Sequence, residues 1–244
     1  MIDRQHPHYT EFPDPELANK HGFLAHGGSL DVHTLLSAYQ QGIFPWFNDN
    51  EPILWWSPDP RMIMPTAEIH TSRSLKKIIK NKKFKITCGQ NFEQVIEACS
   101  QPRHPEGSFN IAYEQPQTWL TTDMKKAYVE LHHAGFAQSI ECWQNNKLVG
   151  GLYGVTIAGM YFGESMFSKE NNSSKVALVA LCQFLQSQGI QWIDCQVESQ
   201  HLLSLGAINI NRKEFLEKIQ HQLTHPLEIN WHDFSSFPKQ SLLT

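Results

Sequence analysis

The chain has 244 residues, 41% hydrophobic and 18% charged. That is enough apolar mass for one large domain, or a main domain with a small companion, and too little charge for a disordered polyampholyte. Twenty Lys and Arg against 24 Asp and Glu leave a formal net charge of −4, which excludes a wholly basic nucleic-acid-binding surface but not a local basic patch.

Residues 1–65 are rich in Pro, Gly and aromatics and read as a small, loop-rich lobe, with the catalytic domain expected over 66–244. The lobe holds one predicted helix over 31–41, with Asp31 as its N-cap and Gly42 just beyond its end. The prolines on either side of Asp59 exclude a helix there. Beyond residue 65 the pattern predicts helices over 72–79, 92–99, 121–133, 174–188 and 212–222. Strands are predicted over 84–88, 137–143, 147–155, 159–163 and 192–197, with a hairpin turn at Asn145-Asn146. A three-strand meander, a helix and a further strand imply a mixed α/β sheet, an α+β architecture with one crossover.

The five cysteines are scattered and include no CxxC pair, which argues against a zinc ribbon and for free thiols in a reducing compartment. The first residues carry no apolar signal core, and no run of 18 apolar residues occurs. The expectation is a cytoplasmic protein without membrane contact.

Four groups of residues can carry chemistry. In the apolar strand around Asp194-Cys195-Gln196, alternation puts Asp194 and Gln196 on one face and Cys195 on the other. A carboxylate in such a strand needs a partner, because burying it alone is costly. Glu164 follows Gly163 at the end of a predicted strand, beside aromatic and methionine side chains that suit an apolar pocket with a polar anchor. Phe44, Trp46, Phe47, Trp55, Trp56 and Trp119 either pack a small core or offer a base-stacking platform. Arg73, Lys76, Lys77, Lys80, Lys82, Lys83 and Lys85 place seven of the 20 cations within 13 residues with no acid among them, a solvated face or a phosphate-binding one. Neither the His221/His225 pair, at i, i+4, nor the adjacent His132/His133 pair has HExxH character or a supporting carboxylate at a telling offset, and no nucleotide-binding glycine loop is visible.

Seven segments occur in an order that resembles the leucyl/phenylalanyl-tRNA–protein transferase family. They are Phe44-Pro45-Trp46-Phe47, Trp55-Trp56-Ser57-Pro58-Asp59-Pro60-Arg61, Gly150-Gly151-Leu152-Tyr153-Gly154-Val155, Gly163-Glu164-Ser165-Met166-Phe167-Ser168, Ser174-Lys175, Ile193-Asp194-Cys195-Gln196 and Ser204-Leu205-Gly206-Ala207. The resemblance implies a small N-terminal lobe and a C-terminal domain like the GCN5-related N-acyltransferases. It implies transfer of Leu or Phe, less readily Met, from aminoacyl-tRNA to the N-terminal Arg or Lys of a protein, marking it for N-degron degradation. It also implies that Asp194 and Gln196 form a catalytic pair and that Glu164 lies near the acceptor amine. Trp46 and Trp119 would then hold the terminal adenosine. Leu152, Tyr161, Met166, Leu181, Leu185 and Ile193 would line the side-chain pocket. Arg73, Lys76, Lys77, Lys80, Lys82 and Lys83 would contact the tRNA backbone. Gln138 stands where the family often has His, and Tyr161 and Leu181 where it often has Phe.

The ester substrate is already activated, so no metal, ATP or other cofactor is expected, and a monomer suffices. On this reading Asp194 orients Gln196 and raises the nucleophilicity of the amine, directly or through Gln196. Two rivals are an acetyl-CoA-dependent N-acetyltransferase and a non-catalytic tRNA-binding module. The first needs a glycine loop where Lys169-Glu170-Asn171-Asn172-Ser173 stands, and the second gives Asp194 and Gln196 no task.

Overall fold

The computed structural model describes residues 8–101 and 120–237; Trp119 lies outside them. Among the described residues there are two sheets. The smaller has strand order β1-β3-β2, formed by β1 (Phe23–His26), β2 (Phe44–Pro45) and β3 (Leu54–Trp56). Helix α1 (Val32–Gln40) lies between the first two, and Asp31 Oδ1 accepts the Thr34 N–H at 3.0 Å as its N-cap. Gly42, at φ 75°, ends it in the left-handed conformation that favours glycine.

The next strand, β4 (Arg61–Pro65), ends at the expected division at residue 65. It is an internal strand of the larger sheet, antiparallel to both β10 (Ile208–Ile210) and β9 (Trp192–Gln196). Arg61-Met62-Ile63-Met64 is buried throughout, and a strand apolar on both sides needs both faces covered, which a small edge lobe does not provide.

The larger sheet continues through β8 (Met160–Ser168), β7 (Lys147–Ile157), β6 (Ala137–Gln144) and β5 (Lys85–Cys88). Strands β6 and β7 are joined as expected at Asn145-Asn146, both with positive φ (51° and 59°), the geometry of a two-residue primed turn. Strand β8 runs five residues past its expected end at Gly163. The crossover from β8 to its parallel neighbour β9 is α5 (Ser173–Ser187), and Gly189 follows it at φ 83°.

Alternation along the strands divides the core in two. On one face Ile63, Tyr153, Val155, Met160 and Phe162 pack with α1, α3 (Phe92–Cys99), α4 (Thr122–His133) and α7 (Arg212–Thr224). On the other, Met62, Met64, Leu152, Tyr161 and Ile193 pack under α5 and α2 (Arg73–Lys80). The result is three layers, helix–sheet–helix. Strands β8 and β9 pair only at Tyr161↔Ile193 and Phe162↔Asp194 and then part. Their diverging C-terminal ends open a cleft, the usual place for a site in a sheet with parallel strands.

Candidate active site

Asp194 sits at the last paired position before the cleft, fully buried. Its partner is Arg61, 133 residues away in sequence, also fully buried. Arg61 donates Nε to Oδ1 at 2.8 Å and Nη2 to Oδ2 at 2.6 Å, a two-pronged pairing that suits the planar guanidinium. The guanidinium also donates Nη1 to the Gly42 carbonyl at 3.1 Å and lies 4.8 Å from the Phe44 ring centroid and 4.3 Å from that of Phe215. Asp194 Oδ1 further accepts the Gln196 N–H at 2.9 Å. That bond helps hold Gln196 at φ 65°, a left-handed conformation in which a non-glycine residue is strained.

The turn at Gln196 brings its side chain across the cleft, where Nε2 donates to Glu164 Oε1 at 2.9 Å. Glu164 is the unpaired residue of a β-bulge: the register steps from Tyr153↔Ser165 to Gly154↔Gly163 and leaves it opposite no residue of β7. The bulge also reverses the alternation of β8. Phe162 packs with the helices α1, α3, α4 and α7, whereas Met166 packs on the α5 side. By sequence proximity alone Glu164 belongs with the methionine and aromatics of this segment. The extra residue instead separates the carboxylate from Met166 across the sheet.

Two phenols complete the site. Tyr39 of α1 donates to Glu164 Oε1 at 2.7 Å and Tyr128 of α4 to Oε2 at 2.7 Å. Burial is the main cause that pushes the Glu164 carboxyl up to about 7, with the Asp194 charge adding to it; the hydrogen bonds from Tyr128, Tyr39 and Gln196 pull the other way. Burial, then the neighbouring Glu164 charge, raises both phenols well above their usual range, so they remain protonated donors. The arrangement provides a carboxyl that changes charge near neutrality, an amide beside it and a fixed ion pair behind.

A family profile described as "Leucyl/phenylalanyl-tRNA protein transferase" matches residues 63–220, and one for the N-terminal domain of the same family matches residues 28–59. The chain belongs to this family. A leucyl/phenylalanyl-tRNA–protein transferase of Saccharophagus degradans is 47% identical over 89% of this chain and 86% of its own length. One of Azotobacter vinelandii is 46% identical over 90% and 94%.

Of the residues expected from the transferase resemblance, Asp194, Gln196 and Glu164 converge as described. The six pocket residues do not form an open pocket. Leu152, Tyr161, Leu181, Leu185 and Ile193 are buried in the packed α5-side core, and only Met166 is partly exposed. They lie on the face of the sheet opposite the carboxylates. A cavity of about 990 Å³ on the α5 side is lined by Ile78, Phe84, Val176, Trp231 and Phe237, among others, and by none of the six. Trp46 is 42% exposed, two residues past the ring that stacks on Arg61, and its carbonyl accepts the Trp56 indole N–H at 2.6 Å. Trp55, by contrast, is a core residue. The basic run is a real amphipathic face: Leu75 and Ile79 are buried on α2, while Arg73, Lys76, Lys77, Lys80, Lys82, Lys83 and Lys85 are exposed. Lys83 is 3.3 Å from Glu170. The Cys195 side chain packs on the α5-side core, as alternation required.

Sequence reasoning missed Arg61, Tyr39 and Tyr128 as site residues. A lone arginine in the otherwise apolar Arg61-Met62-Ile63-Met64 was the available signal, since both it and Asp194 needed a buried partner. The two tyrosines gave none, because each falls on the core-facing side of its helix.

Proposed function

We infer that this chain transfers leucine or phenylalanine from the corresponding aminoacyl-tRNA to the N-terminal residue of an acceptor protein. The observation that carries the inference is the Glu164–Gln196 bridge across the parting of β8 and β9, in a chain that belongs to the leucyl/phenylalanyl-tRNA–protein transferase family. Forming a peptide bond from an activated ester needs a neutral amine, a held carbonyl and a stabilised oxyanion. The acceptor is a protein beginning with Arg or Lys, whose cationic terminus is drawn to Glu164. Gln196 positions the amine: its Nε2 is spent on Glu164, so its carbonyl oxygen is the end left to accept an amine hydrogen. Asp194 works through Gln196 rather than on the amine, since both its oxygens are held by Arg61 in a closed interior.

Trp46 and Trp119 stack the terminal adenosine, and Arg73, Lys76, Lys77, Lys80, Lys82 and Lys83 follow the tRNA backbone. The aminoacyl side chain passes the cleft at Met166, an adaptable residue at the mouth. Leu152, Tyr161, Leu181, Leu185 and Ile193 back Met166 from the packed α5-side core and set its shape without touching the substrate, and Met is a weaker donor. The product, with Leu or Phe at its N-terminus, is marked for N-degron degradation in the cytoplasm. The catalytic domain is of the GCN5-related N-acyltransferase type, a reading supported by the parting parallel strands. One chain is sufficient, because α1, α4, β4, β8 and β9 of a single copy assemble the site.

The test is incubation with charged Leu-tRNA and a peptide beginning with Arg, followed by mass analysis. One added leucine is the expected product, with none on a matched peptide beginning with Ala. Acetylation of the peptide from acetyl-CoA, with no leucine transfer, would overturn the reading.

A further inference from the structure

Three short oxygen–oxygen contacts close a ring at Glu164. The Tyr39 hydroxyl is 2.7 Å from Oε1, the Tyr128 hydroxyl is 2.7 Å from Oε2, and the two hydroxyls are 2.8 Å from each other. Each is a hydrogen-bond distance, and each needs one proton. With Glu164 ionised the ring holds only two, one per phenol. If both go to the carboxylate, the Tyr39–Tyr128 contact opposes two lone pairs. One further proton completes the circuit: the carboxyl donates to one phenol, that phenol to the other, and the second phenol back to the carboxyl. The Gln196 amide donates to Oε1 in either state.

We propose that Glu164, Tyr39 and Tyr128 form a closed receptor for a single proton, and that the α-ammonium of the acceptor protein delivers that proton before it attacks the aminoacyl ester. The proposal rests on the transfer reading above. The atoms balance as follows. One ammonium proton passes to Glu164. The neutral amine forms the C–N bond as the ester C–O bond breaks, a second proton goes to the leaving ribose oxygen, and the third remains on the new amide. Glu164 is partly exposed and returns its proton to water after product leaves.

Neighbouring groups are poorer receptors. Asp194 on β9 is committed to Arg61 of β4, and the Gln196 amide is not basic. Tyr153 of β7 and Tyr161 of β8 also feel the Glu164 charge, but burial keeps both protonated. Glu164, pushed up to about 7, is the group that titrates in the working range.

The experiment compares kcat against pH for the wild type, Tyr39→Phe and Tyr128→Phe, with charged Leu-tRNA and the Arg peptide. Each phenylalanine keeps the ring and removes only the hydroxyl. Losing that hydroxyl breaks the circuit that only the protonated carboxyl completes and removes the opposed lone pairs of the ionised state, so the acid limb moves to lower pH. A shift of about one unit is expected, up to a tenfold gain relative to the plateau at fixed pH on that limb; a shift to higher pH would mean that the phenols serve only the ionised carboxylate, and the closed circuit would fall. The acceptor amine has its own acid limb, but this is common to all three proteins and cancels from the shift. A carboxyl infrared titration of the free enzymes, with Glu164→Gln as the blank, follows the same proton without substrate. An equal loss at every pH, with an unmoved carboxyl titration, would reduce the phenols to packing and overturn the proposal. If no wild-type product forms, the transfer reading fails, while the infrared titration still decides whether the ring takes up its proton.

Discussion

Arg61→Met should separate what the buried ion pair does for stability from what it does for transfer. Both partners are fully buried, with contacts of 2.6 and 2.8 Å. Removing only the guanidinium leaves Asp194 with an uncompensated buried charge, a change that costs about 3–5 kcal/mol. A chain of this size has roughly 5–15 kcal/mol in total and loses about 2–4 °C of Tm per kcal/mol. The single variant should therefore melt lower by on the order of 6–20 °C. The double variant Arg61→Met/Asp194→Leu removes both charges and fills much of their space with apolar groups, a change that is often neutral or stabilising. Its Tm should return close to that of the wild type. Transfer should not return, because the Gln196 N–H loses the Oδ1 atom that holds its left-handed turn. Calorimetry and mass-detected transfer on the three proteins provide the assay. An Arg61→Met protein that melts with the wild type would refute the energetic argument. Recovery of transfer in the double variant would refute the orienting role of Asp194.

Trp46→Ala should raise KM for a short aminoacyl-adenosine and for full tRNA alike, roughly fivefold to a hundredfold if one base stack is lost; an unchanged KM with the short substrate would remove Trp46 from the adenosine site. Replacing Lys76, Lys77 and Lys80 with Glu should impair only full tRNA and flatten the salt dependence of its binding, with about 0.7–0.9 of log–log slope lost per phosphate contact. Equal damage with both substrates would count against the patch. Gly154→Ala should lower stability by about 1–3 kcal/mol, read by thermal melting, because a Cβ there would meet the Phe162 carbonyl and lie 2.5 Å from the Tyr161 ring. A wild-type melt would mean that β7 and β8 do not approach as closely as described.

What could be read from the sequence was mostly local. The cap at Asp31, Gly42 just beyond its helix and the Asn145-Asn146 turn depend on a few neighbouring residues, and each stands at its expected place. The sharing of a face by Asp194 and Gln196 followed from strand alternation, as did the need for a partner. The identity of that partner did not, because Arg61 reaches Asp194 only through the β4–β9 pairing. The bulge at Glu164 was equally hidden: one extra residue in β8 is decided by its register against β7, not by any feature of Gly163-Glu164-Ser165. The strand Arg61–Pro65 is absent from the predicted elements, because it is a short run directly after a segment rich in prolines and tryptophans and its central place depends on pairing with β9 and β10.

The bulge and the left-handed turn at Gln196 occur on facing strands, just where β8 and β9 cease to pair. Each is a local departure from regular strand geometry, and the first moves side chains between faces. Without the bulge, Met166 would follow Phe162 onto the helical face that carries Glu164, and the cleft mouth would lose its contact with the α5-side core. Without the turn, Gln196 would continue the strand instead of reaching across to Glu164. The Arg61–Asp194 pair secures the second departure directly, through Asp194 Oδ1 and the Gln196 N–H. A buried ion pair is a weak source of stability, because desolvation consumes most of its Coulomb energy. Its value here is geometric: it fixes the end of β9 so that an amide and a carboxyl from two strands meet on one side of the sheet, while Cys195 and Met166 of the same strands face the α5-side core on the other.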